Sequence, residues 1–362
     1  MTDHREYIAH RLVDPQGEFT IWGKSILQAY SRVAKLSFVP VLSVSRDSDL
    51  LVLGARIFNQ LTQKTQDRTH LIMTARDVLR CKRLPWSFTY DLKSYDELYA
   101  LIENDDKAAY DVCRRRAERI LRRTRAKVLI ANSTIDPINR LWLKVATDLG
   151  LKTACVQHGV YSDAIPTYVL EEDIIDRYVA LDEGQADILR KNIAKEKIVV
   201  LGVKDTFTRH PSSGIKNICF VGEDWERYGF EEIKIAMTKK YIEIANFLKI
   251  RGCKSFCYRR HPSEFMLNDI DKYMSVLKSG DYDEPDVYIG FSSTLLKEMS
   301  SQGKLAIQLR YEKTHTENFQ SLGYCLTVAN DNNANLKIID ILSSPQDVPF
   351  IRNSDLESIL LQ

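Results

Sequence analysis

The sequence predicts an α/β protein with parallel sheets and two domains. Short apolar runs that suit buried strands alternate with segments of helical periodicity, and this alternation requires crossovers between parallel strands. At 362 residues the chain exceeds the size at which one hydrophobic core keeps growing. A polar stretch at 203–216 separates two series of runs, so we expect domains at residues 1–205 and 215–362.

Each half contains its own series of strands. In the first half, six runs rich in Val, Leu, Ile and Ala predict strands at 50–55, 70–74, 127–131, 152–157, 177–181 and 197–202. In the second half, similar runs predict strands at 217–222, 255–258, 286–291 and 304–309. Helical segments are predicted at 231–250, from residue 295 onward, and within a closing α/β passage at 335–342.

Composition argues against a nucleic-acid-binding, a disulfide-rich or a membrane-spanning protein. Lys and Arg together number 51 against 49 Asp and Glu, a balance that gives no reason to expect nucleic acid as the main partner. Seven scattered cysteines form no disulfide framework and no paired zinc motif, which favours a reducing compartment and no metal. The start of the chain is polar and no apolar stretch reaches membrane-spanning length, so a cytoplasmic protein is expected, at most peripheral to the inner membrane.

Donors for a phosphate follow two strands of the second half. The segment 259–262 (Arg-Arg-His-Pro) leaves the sheet at a strand's carboxyl end, where α/β proteins bind ligands. The segment 292–294 (Ser-Ser-Thr) opens a helix, so hydroxyls and backbone N–H groups meet at a positive helix N-terminus. Taken singly, these are also an ordinary turn and an ordinary helix cap. Together they predict a phosphate site made of Arg260, His261, Pro262, Ser292, Ser293 and Thr294.

Other nucleotide motifs do not occur. Neither a Gly-x-Gly-x-x-Gly fingerprint nor a Walker loop is found, which counts against a dinucleotide oxidoreductase or a P-loop NTPase. The segment 223–225 (Glu-Asp-Trp), directly after the first strand of the second half, could approach the donor from the same sheet edge, or could simply begin a loop.

Three segments in order resemble those of bacterial capsule and lipopolysaccharide transferases with cytidine-activated donors: 156–163 (Val-Gln-His-Gly-Val-Tyr-Ser-Asp), 260–264 (Arg-His-Pro-Ser-Glu) and 291–294 (Phe-Ser-Ser-Thr). This group includes sialyltransferases, Kdo transferases and, more distantly, glycerophosphotransferases of teichoic acid synthesis. The resemblance implies the GT-B fold, in which two Rossmann-like domains face each other across a cleft. It also implies that the His-Pro and Ser-Ser elements hold CMP.

The resemblance leaves the catalytic group open. In the sialyl group an acidic element ending in Gly carries the base, and 182–184 (Asp-Glu-Gly) matches it but begins a helix after the fifth strand. The position that should face the donor is held by 157–159 (Gln-His-Gly), as in Kdo transferases and glycerophosphotransferases. We therefore expect His158 and Asp163 as catalytic groups. Either could deprotonate an acceptor in an inverting reaction, and Asp163 could act as nucleophile in a retaining one.

The function that follows is transfer of a Kdo- or sialic-type sugar acid from a CMP donor to a bacterial surface glycan or lipid-linked glycan. Protein donors can neutralise a monophosphate leaving group, so no cofactor and no metal are expected. Two alternatives are a CDP-glycerol-dependent glycerophosphotransferase and a noncatalytic nucleotide-sugar-binding partner in polysaccharide assembly.

An arginine cluster spans residues 114–125. Such a run is usually a solvated helix face, but it would also suit an anionic membrane surface, since clustered arginines attract phosphates.

Overall fold

The computed structural model divides into two compact units, Met1–Leu201 with Ser354–Gln362, and Gly202–Asn353. The predicted ranges differ from this division mainly at the carboxyl end, where the last residues belong to the first unit. The structure describes residues 41–44, 47–73, 77, 81–83, 85–91, 107–134, 137–157, 159, 174–210, 217–223, 231–253, 255–261, 264, 270, 274–276, 285–311 and 318–360.

The first unit is built on a mostly parallel sheet. Its strands are β1 (Val41–Val44), β2 (Leu50–Leu53), β3 (Thr69–Met73), β4 (Ser87–Asp91), β5 (Val128–Ala131), β6 (Lys152–Val156) and β7 (Arg177–Asp182). They lie in the order β1-β4-β3-β2-β5-β6-β7, and β8 (Ile198–Arg209) follows β7. All pairs from β4 to β7 are parallel, whereas β1 runs antiparallel to β4.

In the described part of this unit, five helices lie between its strands. They are α1 (Ala55–Phe58), α2 (Gln63–Gln66), α3 (Lys107–Thr124), α4 (Pro137–Asp148) and α5 (Glu183–Leu189). α3 buries Cys113, Ala117 and Ile120 at helical spacing, so its apolar side enters the core.

The second unit holds a parallel sheet between helices. Its elements are β9 (Asn217–Val221), α6 (Glu231–Ile250), β10 (Ser255–Arg259), β11 (Ser275–Val276), β12 (Val287–Gly290), α7 (Thr294–Ser301), β13 (Leu305–Arg310), β14 (Leu326–Ala329), α8 (Ala334–Ser343) and β15 (Gln346–Asn353). The strand order is β11-β10-β9-β12-β13-β14, with all pairs parallel. After β15, α9 (Leu356–Leu360) packs with the first unit.

Both sheets are doubly wound. In the first unit the chain moves outward from β2 through β3 and β4, then returns to the other side of β2 through β5, β6 and β7. The second unit repeats this path from β9. This strand order is that of the Rossmann fold, and it confirms the predicted α/β class.

The predicted strands are present, but β4, which lies between β1 and β3, and the edge strands β1, β11, β14 and β15 were not predicted. Residues 203–209, predicted as part of a polar linker, instead continue β8 and pair antiparallel with β15. β15 contains Pro349, which an edge strand tolerates because one side of it needs no ladder bond. Among the described residues, no helix is long and apolar enough to cross a membrane.

A buried histidine joins two strands of the first sheet. His70 of β3 is fully buried, with Nδ1 2.7 Å from Ser87 Oγ and Nε2 2.9 Å from Thr89 Oγ1. A neutral imidazole offers one donor and one acceptor, and the two hydroxyls can complement both. Burial lowers the pKa of His70 to about 4.

The first unit should therefore lose stability in mild acid. Unfolded His70 binds a proton near pH 6.5, whereas the folded state resists protonation down to about pH 4. The contribution of the neutral, buried His70 to the free energy of unfolding is fully present above pH 6.5. It is lost as the pH falls toward 4, by about 3 kcal/mol in total. Urea titrations at several pH values should show this loss in the wild type and a smaller one in His70→Gln. Equal pH dependence in the two proteins would contradict the assignment.

Candidate functional site

Three strand ends of the second unit meet at one edge of its sheet. β9 lies between β10 and β12, and all three are parallel, so their carboxyl ends are neighbours. The strand order reverses between β9 and β12, which is the point where open α/β sheets bind ligands. Three segments follow these strands: Gly222 and Glu223 after β9, Arg260 and His261 after β10, and Phe291 to Thr294 after β12.

A buried carboxylate bridges β9 to the start of α7. Glu223 Oε1 accepts hydrogen bonds from the backbone N–H groups of Phe291 at 3.0 Å, Ser292 at 2.6 Å and Ser293 at 3.1 Å. Its Oε2 accepts from the Ser292 hydroxyl. The amides predicted to hold a phosphate are thus arranged around an anion, and in this structure that anion is Glu223.

Burial and hydrogen bonding act on Glu223 in opposite directions. Desolvation of the carboxyl raises its pKa above the usual range, and the bonds from Ser292, Phe291 and Ser293 only partly offset this. Glu223 therefore takes up a proton more readily than an exposed glutamate.

Hydrogen bonds to α7 and to β13 fix the loop after β12. Ser293 caps α7, since its Oγ accepts from the Leu295 N–H at 3.3 Å, and Thr294 is the first helical residue. The fully buried Gln308 of β13 donates from Nε2 to the Phe291 carbonyl at 2.8 Å. Ser293 thus combines an ordinary cap with a backbone N–H that points at the anion position.

The turn after β10 is fixed by a buried ion pair. Lys234 of α6 donates from Nζ to Glu264 Oε1 at 2.5 Å, to the Glu223 carbonyl at 2.7 Å and to Tyr258 Oη at 3.1 Å. Tyr258 Oη donates to Glu264 Oε1 at 2.7 Å, and Glu264 Oε2 accepts from the His261 N–H at 3.0 Å. The side chains of Lys234 and Glu264 are 3% and 0% exposed. The pair therefore links the β9 end to the His261 turn.

A glycine makes room for this network. A Cβ on Gly222 would overlap Glu264 Oε2 and would lie 2.5 Å from Tyr258 Oη. No side chain can therefore stand between β9 and Glu223 without displacing the ion pair. Sequence reasoning missed Gly222, Lys234 and Glu264 as site residues, although Glu264 closes the segment that carries the His-Pro element.

The predicted phosphate donors lie partly at this edge. Arg260 and His261 are half-buried directly after β10, and Ser292, Ser293 and Thr294 are half-buried at the start of α7. Pro262 lies outside the described residues. The structure thus brings five of the six predicted residues to neighbouring strand ends.

The matching edge of the first unit is organised by Gln157 after β6. Its Nε2 donates to the Gly159 carbonyl at 2.7 Å and to Gln185 Oε1 at 2.5 Å, while its Oε1 accepts from the Leu181 N–H at 3.2 Å. Gln157 therefore ties the turn after β6 to the end of β7.

The alternative acid, Asp182, has a structural part in the same region. It is fully buried and caps α5 by accepting from the Gln185 N–H at 3.1 Å. This bond accounts for the residue type at position 182. His158 and Asp163 lie outside the described residues, so their roles stay predictions. Within the described ranges, no group of three or more His, Cys, Asp or Glu side chains could hold a metal ion.

Comparison with known proteins supports the fold. No family model and no curated protein matches the chain. Among solved structures, it is similar to UDP-GlcNAc 2-epimerase from Methanocaldococcus jannaschii, with 16% identity, a TM-score of 0.55 and coverage of 84% of this chain and 94% of that one. It is also similar to a putative UDP-N-acetylglucosamine 2-epimerase from Listeria monocytogenes, with 11% identity, a TM-score of 0.51 and coverage of 82% and 88%.

A third similar structure is a glycosyltransferase from Rickettsia africae ESF-5, with 12% identity, a TM-score of 0.51 and coverage of 82% and 88%. At these identities the similarity is one of fold. Together with the two strand orders, it assigns the chain to the GT-B fold class of two Rossmann-like units.

Proposed function

We propose that the protein is a glycosyltransferase that binds a nucleotide-activated sugar at the carboxyl edge of its second unit. The observation that carries the proposal is the convergence of the His261 turn and the Ser292 loop on either side of β9. Ligands of doubly wound sheets bind at this reversal of strand order. The helix N-terminus and backbone N–H groups beside it favour a phosphate.

The donor phosphate takes the place of the Glu223 carboxylate. Both groups accept hydrogen bonds through oxygen atoms that carry negative charge, so the same three N–H groups can serve either. In the free protein, Glu223 keeps these groups oriented and satisfied. The phosphate then meets donors that need little reorganisation.

The finer assignment is a CMP-linked sugar acid of Kdo or sialic type, transferred to a bacterial surface glycan or lipid-linked glycan. It is supported by the three segments that resemble cytidine-dependent transferases. In this scheme His261 and the N–H groups of the Ser292 loop stabilise the departing CMP phosphate, while Arg260 contacts that phosphate or the sugar carboxylate. No metal is required in this role.

A second candidate function is that of a UDP-sugar enzyme. The observation that favours it is the similarity in fold to two proteins described as UDP-GlcNAc 2-epimerases. Such an enzyme would use the same edge of the second unit but would bind uridine in place of cytidine.

Thermal shifts with CMP, CDP, UDP, GDP and ADP at equal concentration separate these functions, because a ligand that binds only the folded state raises its stability by RT ln(1 + [L]/Kd). We expect the largest shift with CMP. A largest shift with CDP would favour a glycerophosphotransferase, and one with UDP would favour a UDP-sugar enzyme. Equal shifts would remove the cytidine assignment. Binding without hydrolysis or transfer of any donor would indicate a noncatalytic partner.

Glu223→Gln should strengthen CMP binding on the order of 10- to 100-fold, because the carboxylate competes with the phosphate and repels it. The amide keeps an oxygen that can accept from the same N–H groups. Since burial raises the pKa of Glu223, wild-type affinity should also rise more steeply than that of the variant as the pH falls. Titration calorimetry measures both effects.

A matched control for this variant is Asp205→Asn, which removes one negative charge from a half-buried site of the same unit. Its CMP affinity should equal that of the wild type. If Glu223→Gln weakens CMP binding, the carboxylate contacts the nucleotide directly and is not a placeholder.

A further inference from the structure

The amino-terminal edge of the first sheet holds a cavity of about 480 Å³, at the opposite ends of the strands from Gln157. Its apolar lining residues are Leu50 of β2, Val128 of β5, Ala154 of β6 and Leu360. Its charged lining residues are Arg68, Lys127, Lys152, Arg177, Asp49 and Asp176. Four cations thus surround the opening against two carboxylates.

Both carboxylates are already engaged within the protein. Asp49 forms an ion pair with Arg68. Asp176 accepts from the Thr153 N–H at 2.9 Å and from its hydroxyl at 3.3 Å. Lys127 and Lys152 are exposed, and neither ammonium group has a hydrogen bond or ion pair within the described part of the chain. The cavity therefore presents two uncompensated positive charges.

Exposed arginines on α3 add to this positive charge. Arg115, Arg119 and Arg123 are exposed and four residues apart, so they form one row along the helix. None of the three has an ion-pair partner among the residues whose structure is described. Two other arginines of α3 are paired, Arg114 with Asp148 at 4.0 Å and Arg122 with Glu118 at 2.9 Å.

The carboxyl end of α3, where this row of arginines ends, lies beside the cavity. α3 ends at Thr124, whose carbonyl accepts from the Ser48 N–H at 3.4 Å beside Asp49. Lys127 lies beyond the end of α3, directly before β5, and its N–H donates to the Asp49 carbonyl at 3.1 Å. Arg115, Arg119, Arg123, Lys127 and Lys152 are hereafter the basic face.

An exposed tryptophan lies on the same sheet edge. Trp86 directly precedes β4 and is 52% exposed. β4 and β3 are parallel neighbours, and Arg68, which lines the cavity, directly precedes β3. Trp86 and Arg68 therefore lie at the same ends of adjacent strands. Tryptophan side chains favour the boundary between water and lipid, because the ring is apolar and its N–H is polar.

We propose that the basic face docks the protein on a membrane surface that contains anionic phospholipids. Charge complementarity attracts the headgroups, the apolar lining of the cavity can receive part of one lipid, and Trp86 can enter the interface. Nucleic-acid grooves alternate cations with several stacking aromatic rings, whereas Trp86 is the one strongly exposed aromatic residue among those described. Docking at this edge leaves the carboxyl edge with Gln157 open. The proposal goes beyond the nucleotide site and does not depend on the identity of the donor.

Cosedimentation with vesicles tests the proposal. The wild-type protein should bind vesicles of phosphatidylcholine with phosphatidylglycerol, should not bind pure phosphatidylcholine vesicles, and should be released by salt. The triple variant Arg115→Gln, Arg119→Gln, Arg123→Gln should bind on the order of 100-fold more weakly, since each arginine contributes about fivefold near an anionic surface. A blue shift of tryptophan fluorescence on binding should be lost in Trp86→Phe.

The matched control is Lys239→Gln, Lys249→Gln, Arg251→Gln, on α6 of the second unit and the residue directly after it, which removes the same net charge. Its vesicle affinity should stay within a few-fold of the wild type. An equal loss in both triple variants would show that net charge and not the basic face drives binding. Failure of the wild type to bind anionic vesicles, or tighter binding to single-stranded RNA than to vesicles, would also overturn the proposal. All six substituted side chains are exposed, and matching thermal melts verify folding.

Discussion

Lys234→Met should destabilise the second unit by about 3–5 kcal/mol, because it leaves a buried negative charge without its partner. Glu264 would keep its hydrogen bonds from Tyr258 and His261 but would lose the ammonium group in a fully buried position. The Glu223 carbonyl would also lose a donor. Urea denaturation followed by tyrosine fluorescence measures the change.

Two controls isolate the buried charge. In Lys234→Met with Glu264→Gln both charges are absent, so part of the lost stability should return. Lys337→Met breaks the exposed pair with Asp331, whose side chains are 48% and 45% exposed, and should cost less than about 1 kcal/mol. If Lys234→Met costs no more than Lys337→Met, the network does not hold the His261 turn in the way inferred from the structure.

Asp163→Asn should lower turnover by about 100- to 10,000-fold while CMP affinity stays within a few-fold of the wild type. The substitution keeps the shape of the side chain but removes its basicity and its nucleophilicity, which act only in the chemical step. Asp163 follows the turn that Gln157 holds against β7. The measurement is transfer of the sugar from its CMP donor, together with CMP calorimetry.

His158→Ala is the comparison for Asp163→Asn. An inactive His158→Ala with an active Asp163→Asn would identify the imidazole as the base and favour the glycerophosphotransferase-like mechanism. Near wild-type transfer by both variants would contradict the predicted first-unit site. Asp182 and Glu183 would then need a test, although the bond from the Gln185 N–H already accounts for Asp182 as a helix cap.

The sequence predicted the strands whose runs are buried on both faces, since parallel strands between helices leave near-continuous apolar segments. It also predicted α6 at its observed bounds, Glu231–Ile250, from helical periodicity. The edge pairing of β8 with β15 was missed, because it joins polar and half-exposed residues far apart in the chain.

The sequence predicted the site residues that directly follow strands. It did not predict the site residues that are held by hydrogen bonds or ion pairs between positions far apart in the chain. Parallel strands place His261 and Ser292 at one edge once the strand order is known. The hydrogen bonds that Glu223 accepts from the N–H groups of residues 291–293 span 68 to 70 residues, and no local pattern encodes them. The position of Glu223 directly after β9 was the one available signal. The Lys234–Glu264 pair had none, because a charged residue in an amphipathic helix usually faces water.

We propose that a nucleotide phosphate binds at the carboxyl edge of the second unit, beside the His261 turn and the Ser292 loop. The most direct test is calorimetric titration of CMP into the wild type and into His261→Ala, whose half-buried turn position should allow normal folding. We predict an affinity at least about 10-fold lower in His261→Ala, since a hydrogen bond to a charged group contributes about 1.5–3 kcal/mol. An unchanged dissociation constant in a folded His261→Ala protein would contradict the claim.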